Sequence, residues 1–392
     1  MRAWQRLVGW AARPRRSRAG PHTAFASLSA LRERIRQLDE DILRLLAARL
    51  ETAKAIGRQK KLAGIPLRDW NMERQVLDRA AAQAQQLGLP GPTVRAIMQT
   101  LIAAARVEQE RTSFSTYRGT AESILIIGGH GRMGRWFADF FSNQGHRVSV
   151  YDPAARSAEA GNGPAAVFSL AEGLSETSFA LIAVPLPVVA DVIDELTRLG
   201  YGGTICDIAS LKSHLKPALQ RARAAGLALT SIHPMFGPGA RTLSDQVICV
   251  CDCGDAEATR RVEAFFADTA ATLVRLSLDE HDRIISYVLG LSHLTNIVLA
   301  KVLMESGRTF DQLNRVGSTT FHSQMATTGT VIREDPELYY AIQRLNPFST
   351  DLLSAFQREL ATVADWIRND DRAAFVAMMR AARRWMADDD AG

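Results

Sequence analysis

Apolar residues recur every seven positions near the start of the chain. Leu28, Ile35, Ile42 and Ile56 form one row, and Leu31, Leu38 and Leu45 form the other. That spacing predicts an amphipathic helix running to about Lys61, longer than most globular helices, whose seam needs a coiled-coil-like partner. One slot breaks the rule, because Arg49 stands where the row calls for an apolar residue. Lys60, eleven residues on, returns to within about 20° of the same line at 3.6 residues per turn. Two cations on an apolar seam are costly unless something anionic meets them. The structural alternative is that Arg49 pairs with a partner-helix carboxylate or snorkels outward. A second helix is predicted from Asp69, as N-cap, to near Gly88, and a third from Pro92 to about Arg111. The third turns Val94, Ile97, Met98, Leu101, Ile102 and Ala105 to one face, and polar Gln109 extends it.

A polar linker, Thr112 to Thr120, separates this block from one with a different period. Ser123–Ile127 reads as a buried strand that runs into Gly129-His130-Gly131-Arg132-Met133-Gly134. A helix to Asn143 and a strand from Arg147 to Tyr151 follow, and Asp152 ends the unit. Three spaced glycines are a weak signal alone, but strand, turn, helix, strand and terminal acid in that order predict a dinucleotide site. The glycines let the backbone approach a pyrophosphate at the helix N-terminus. Asp152 is placed to accept from a ribose hydroxyl pair and to repel a 2′-phosphate, which favours NAD over NADP. Further strands are expected over Phe179–Val184, ending at Pro185, and over Gly203–Asp207. Val184 and Pro185 close the first of these and are candidate cofactor contacts, while Ser210, Lys212 and His233 fall beyond strand ends, where ligands sit in such sheets. Singly each has a structural explanation, and His233 could simply cap a turn.

From about Asp279 the pattern is helical again to Met386, with broad apolar faces that include Ile284, Ile285, Val288, Leu291 and Leu294. This block is expected to cover the substrate cleft and to form a dimer interface. The expected architecture is therefore multidomain. A basic disordered tail (1–26) precedes an all-α helical domain (27–112) and a linker (113–122). An α/β Rossmann dinucleotide-binding domain (123–278) and an all-α C-terminal dimerisation domain (279–392) complete it.

Composition changes this picture little. The 392 residues are 47% apolar and 23% charged, as in ordinary globular proteins. Seven arginines and no acid lie in residues 1–32, which more than accounts for the net charge of +5. The charge is thus local, and no nucleic-acid partner is expected. The tail's composition also fits a transit peptide. No apolar run approaches the roughly 18 residues of a membrane span, so no membrane partner is expected either. Cys206, Cys249, Cys251 and Cys253 show no zinc spacing and no disulfide framework, which points to reduced thiols in the cytoplasm and no metal.

From about residue 28 the chain resembles the bifunctional chorismate mutase–prephenate dehydrogenases of tyrosine biosynthesis. The carrying stretches are Gly128–Gly134, Asp207–Lys212, Ile232–Pro238, Glu280-His281-Asp282 and Arg333–Tyr339, together with the order of the two blocks. The resemblance implies rearrangement of chorismate to prephenate, then NAD-dependent oxidative decarboxylation to 4-hydroxyphenylpyruvate, in a homodimer. It implies that His233 hydrogen-bonds the ring hydroxyl as neutral imidazole, that Ser210 contacts the same region, and that Lys212 offers a cation to the substrate or the site's field. For the mutase it implies that Arg49 binds a carboxylate, that Lys60 and Gln109 hydrogen-bond the ether oxygen, and that Glu73 holds the ring hydroxyl. Arg32 matches an arginine given across a dimer, and Asp69 also matches a family position.

Three departures stand out. Met72 replaces an arginine and Ala105 a serine, which implies a weakened mutase. Ser292 stands where the bifunctional enzymes carry a carboxylate-binding arginine; the Leu-Ser-His-Leu run instead resembles single-function dehydrogenases, with His293 lining the pocket. Arg283, Arg315 and Arg344 are the candidates to replace that arginine. Two rival readings remain open at this point. One keeps the scaffold for arogenate or 4-amino-4-deoxy analogues, and the other makes the helical block a non-catalytic dimerisation or sensing module.

Overall fold

In a computed structural model the described residues are 27–63, 70–113, 119–153, 165–167, 169–240, 242–243 and 246–388. The basic tail and Asp69 lie outside them. The chain divides into two compact units, one ending at Thr52 and the other beginning at Ala53.

The seven-residue rows form α1 (Leu28–Ala63). In the first unit the seam is uncovered: Leu28, Leu31, Ile35, Leu38, Ile42 and Leu45 are between 44% and 71% exposed. Arg36 bonds to Glu33 and Glu40, the spacing that places side chains on one helical face. Propensity and these ion pairs shape the helix, while its apolar stripe is left without a cover in the single chain.

The second unit holds the end of α1, then α2 (Trp70–Gln86) and α3 (Gly91–Ser113), which pack on one another. Ala80, Ala84, Ile102 and Ala105 are buried here. Gly57 lets α1 approach α3 closely, since a Cβ there would stand 3.0 Å from the Gln109 Cα. Lys54 and Glu108 pair at 3.5 Å beside this contact.

The following block alternates strand and helix. Its elements are β1 (Ser123–Ile127), α4 (Arg132–Asn143), β2 (Arg147–Tyr151), β3 (Ala165–Val167), α5 (Leu170–Ser175), β4 (Phe179–Ile182) and α6 (Val189–Arg198). Then come β5 (Thr204–Asp207), α7 (Lys216–Ala224), β6 (Ala228–Pro234), β7 (Val247–Asp252), α8 (Ala256–Phe266) and β8 (Thr272–Ser277). The sheet order is β3-β2-β1-β4-β5-β6-β7-β8, parallel through β6, with β7 reversed and β8 parallel to β7. Helices cover both faces, so β1, β4 and β5 are buried along almost their whole length rather than on alternate residues. One core is aliphatic, around Leu125, Ile182 and Leu219; the other is aromatic, with Phe137, Phe140, Phe141, Phe179, Phe265 and Phe266. Strand β4 is shorter than expected, because the chain leaves the sheet before Val184 and Pro185 into a turn of 3-10 helix, and β5 begins one residue later than expected, at Thr204. Cys253 falls just past the end of β7.

The C-terminal block is helical as expected but not regular. α9 (Leu278–Ile285) passes through a π turn, Ser286–Leu291, into α10 (Ser292–Met304). There follow α11 (Phe310–Arg315), α12 (Thr319–Ile332), α13 (Pro336–Leu345), α14 (Ser349–Arg368) and α15 (Arg372–Asp388). The stretch Leu278–Met304 is long and apolar enough to cross a membrane. Yet it carries the buried polar residues His281, Asp282 and Asn296, each hydrogen-bonded within this domain. Its exposed apolar residues include Tyr287, Val288, Val298 and Val302.

Candidate active sites

The glycine turn lies at the carboxyl end of β1, next to β4, where the strand order reverses. The hinge is Gly128, one residue before the expected turn: its φ is +86°, and a Cβ there would meet the Ala183 carbonyl oxygen at 2.6 Å. Such a conformation and such crowding admit glycine alone. At Gly134 a Cβ would land on the Gly128 carbonyl, so this glycine lets α4 close onto the turn. Gly131 is the N-cap of α4 and makes no side-chain cap. The first-turn N–H groups of a helix are then the natural seat of a pyrophosphate. These residues fit a dinucleotide, with Gly129, Gly131, Met133 and Gly134 at the turn and Val184 and Pro185 beyond β4.

Two of the residues expected to bind the cofactor have partners within the protein. Asp152 accepts the backbone N–H of His130 at 3.0 Å, so it braces the turn as well as ending β2. Arg132 reaches away from the turn to Glu334, at 2.7 Å, just before α13.

His233 stands near the end of β6, on the same edge of the sheet, and is 5% exposed. Its Nδ1 lies 3.0 Å from Nε2 of His281, and the His281 Nδ1 lies 2.8 Å from the Asp282 carboxylate. Asp282 also accepts the backbone N–H groups of Lys212, at 2.9 and 3.1 Å, and of Ser213, at 2.6 Å. Burial, then the neighbouring His281 and Lys212, holds the His233 pKa well below the usual histidine value. Burial likewise lowers His281. Burial pushes Asp282 up, but the hydrogen bonds from His281, Ser213 and Lys212 outweigh it and keep the carboxyl below its usual value. His281 and Asp282 belonged to a motif in the sequence, yet nothing there tied them to His233, 48 residues earlier.

Lys212 requires a correction. It was expected to offer its cation to the substrate or to the site's field, and at 0% exposed it is withdrawn from direct substrate contact, which leaves the second role. Its ammonium donates to Asp207 at 2.9 Å and to the Ile232 carbonyl at 2.7 Å. Burial works against this charge, and Asp207 holds it in place. The reason is the register: Asp207 ends β5 beside β6, which draws Lys212 inward. Ser210 is half-buried in the loop after β5.

His293 is half-buried and stacks on Tyr339, with ring centroids 4.2 Å apart. Its Nδ1 is buried and has no hydrogen-bond partner among the described residues. Of the three arginines considered for the substrate carboxylate, Arg283 lies over the Phe348 ring at 4.5 Å and Arg315 pairs with Asp311 at 3.1 Å. Arg344 is exposed near the end of α13.

The residues expected to serve the mutase fall in both units. Arg32 and Arg49 belong to the first, with Arg32 exposed and Arg49 half-buried. Lys60, Glu73 and Gln109, all half-buried, belong to the second. Glu73 pairs with Arg106 at 3.5 Å. A cavity of about 490 Å³ lies beside them, lined also by Arg74, Arg95 and Gln99. Arg106 was not among the expected site residues; in the sequence its signal is a charge three residues before Gln109 on a half-buried stretch of α3.

Comparison with known proteins gives three family matches. Residues 31–110 match chorismate mutase type II. Residues 137–275 match the prephenate dehydrogenase nucleotide-binding domain, and 277–381 its dimerization domain. The T-protein of Enterobacter agglomerans is 26% identical over 93% of this chain and 94% of its own. The T-protein of Haemophilus influenzae is 22% identical over 92% of this chain and 93% of its own. Among solved structures, prephenate dehydrogenase from A. aeolicus, in complex with hydroxyphenyl propionate and NAD+, shares the fold. Its TM-score is 0.57 at 18% identity, covering 69% of this chain and 99% of that one. With a mutase domain followed by both dehydrogenase domains, the chain belongs to the chorismate mutase–prephenate dehydrogenase family.

Proposed function

We propose that the chain is a bifunctional enzyme that rearranges chorismate to prephenate and oxidatively decarboxylates prephenate to 4-hydroxyphenylpyruvate. The observation that carries the dehydrogenase reading is His233, buried and neutral at the sheet edge that also carries the glycine turn. NAD+, when bound, supplies the hydride acceptor. Asp152 at the end of β2 favours NAD+ over a 2′-phosphorylated cofactor by charge. His233 accepts the hydrogen bond of the ring hydroxyl and polarises it as the hydride leaves the same carbon. The bond to the ring carboxylate breaks, CO₂ departs, and its electron pair makes the ring aromatic, while the hydroxyl proton ends on the phenol. Ser210 and His293, whose Nδ1 is buried without a partner, are proposed substrate contacts.

The mutase step needs no nucleophile, only a charged mould for a folded dianion. Lys60, Gln109, Glu73 and Asp69 are proposed contacts for it, and the family resemblance adds Arg49 and Arg32, each as a separate proposal. The uncovered seam of α1 and the exposed face of α10 support a homodimer, in which a second copy covers both. Four free cysteines support a reducing, cytoplasmic setting.

The test is the product formed from chorismate. Without NAD+ prephenate should accumulate; with it, 4-hydroxyphenylpyruvate, CO₂ and NADH should form in equal amounts. No chorismate consumption without NAD+ would remove the mutase reading. A kcat/KM for arogenate or 4-amino-4-deoxyprephenate tenfold above that for prephenate would reassign the substrate.

A further inference from the structure

We propose that His281 and Asp282 are positioning residues that fix the tautomer of His233, so that its Nε2 offers a lone pair to the substrate hydroxyl. The inference rests on the assignment of His233 above and extends it to two residues that do not touch substrate.

Asp282 receives backbone N–H groups from Lys212 and Ser213, groups that can only donate. An ionised carboxylate is the form that accepts all of them together with a bond from His281. The His281 Nδ1, 2.8 Å from Oδ1, must then be the protonated nitrogen. A neutral imidazole carries one N–H, so the His281 Nε2 is bare and can only accept. It lies 3.0 Å from the His233 Nδ1, which must therefore carry the proton. The single remaining nitrogen, the His233 Nε2, is left as an acceptor.

The alternative, a doubly protonated His281, would reverse the last bond and turn the His233 Nε2 into a donor. It places a further cation in a fully buried site that already holds the Lys212 ammonium. Burial and Lys212 both oppose it. The Asp207–Lys212 pair contributes a second way: Lys212 is held at both ends, its ammonium on Asp207 and its backbone N–H on Asp282. That anchoring fixes the orientation of the carboxylate, and through it both rings. The logic is that of a catalytic triad, in which a carboxylate sets the tautomer of a histidine, here with one imidazole interposed.

Asp282→Asn separates this role from mere packing. Its amide oxygen must keep the Lys212 and Ser213 bonds, which turns the NH₂ group toward His281 and reverses every donor along the chain. The expected result is a loss of about 10²–10⁴-fold in kcat, the span that a correctly poised acid or base contributes. The Kd for NAD+ should stay within twofold. The ¹⁵N resonances of His233, which distinguish bare from protonated ring nitrogens, should exchange their assignment. His281→Gln, whose amide oxygen can still accept from the His233 Nδ1, should retain at least ten times the activity of His281→Leu. The proposal is overturned if wild-type His233 carries its proton on Nε2, a measurement that needs no variant to fold. It is also overturned if Asp282→Asn keeps kcat within threefold. Full activity of His233→Asn would instead sink the catalytic assignment and leave the tautomer measurement standing.

Discussion

Arg132, in the first turn of α4, donates to the Glu334 carboxylate at 2.7 Å, tying the helix of the glycine turn to the segment that leads into α13. A cation at a helix N-terminus is unfavourable by itself, and Glu334 offsets it. A pyrophosphate at the same terminus would compete for the same guanidinium. Glu334→Gln should therefore tighten NAD+ binding about threefold at low salt, with the gain shrinking as salt rises. Both partners are partly exposed, so stability should change by about 1 kcal/mol or less. Titration calorimetry at two ionic strengths checks this, and weaker binding in the variant would refute it.

Because burial and its neighbours depress the His233 pKa, the neutral form persists to below the usual histidine value near 6.5. Activity requires that neutral form, so the acid limb of the kcat/KM profile for prephenate should lie below pH 6.5. His233→Asn should lower kcat by about 10²–10⁴-fold while leaving NAD+ affinity unchanged. A loss under tenfold would remove His233 from its role.

The same depressed pKa values link stability to pH. A histidine kept neutral by the fold contributes stability that is present above its unfolded value near 6.5. It is lost as pH falls from there toward the folded value, by up to about 1.4 kcal/mol per pH unit for each proton. Urea unfolding between pH 7.5 and 5.5 should show falling stability in the wild type, with a shallower fall in His233→Asn. Parallel slopes would mean that His233 does not titrate as buried.

Gly134→Ala should fail at the turn. The new methyl meets the Gly128 carbonyl, a rigid backbone atom, so α4 must shift away from β1. The expected cost is about 1–3 kcal/mol in stability, as for other overpacked sites, with loss of measurable NAD+ binding. Mutase activity, which depends on the helical domain, should survive. An unchanged Kd for NAD+ would show that the turn does not hold the cofactor.

For the helical domain, Arg49→Ala should abolish prephenate formation from chorismate and leave dehydrogenation of added prephenate intact. Equal loss of both activities would mark Arg49 as structural. Leu38→Glu, on the exposed seam, should lower the oligomeric mass in light scattering, because a charge on that stripe opposes a helical partner.

Much of this molecule was legible in the order of its residues. The seven-residue rows predicted α1, and the unbroken apolar runs predicted the buried parallel strands, because both patterns follow from the local periods of helix and strand. The stretch Gly128–Gly134 was legible as a glycine turn, whereas the Ala183 carbonyl that excludes a Cβ at Gly128 lies 55 residues further along the sequence. His233 was visible as a polar residue at a strand end. Three things were decided by tertiary structure alone: the pairing of His233 with His281, the withdrawal of Lys212 into the sheet by Asp207, and the approach of Arg106 to Glu73. Periodicity states which face of an element is buried. Which side chain meets which across the fold depends on register and packing between distant segments, and a hydrogen bond exists only once both partners have been carried to one place.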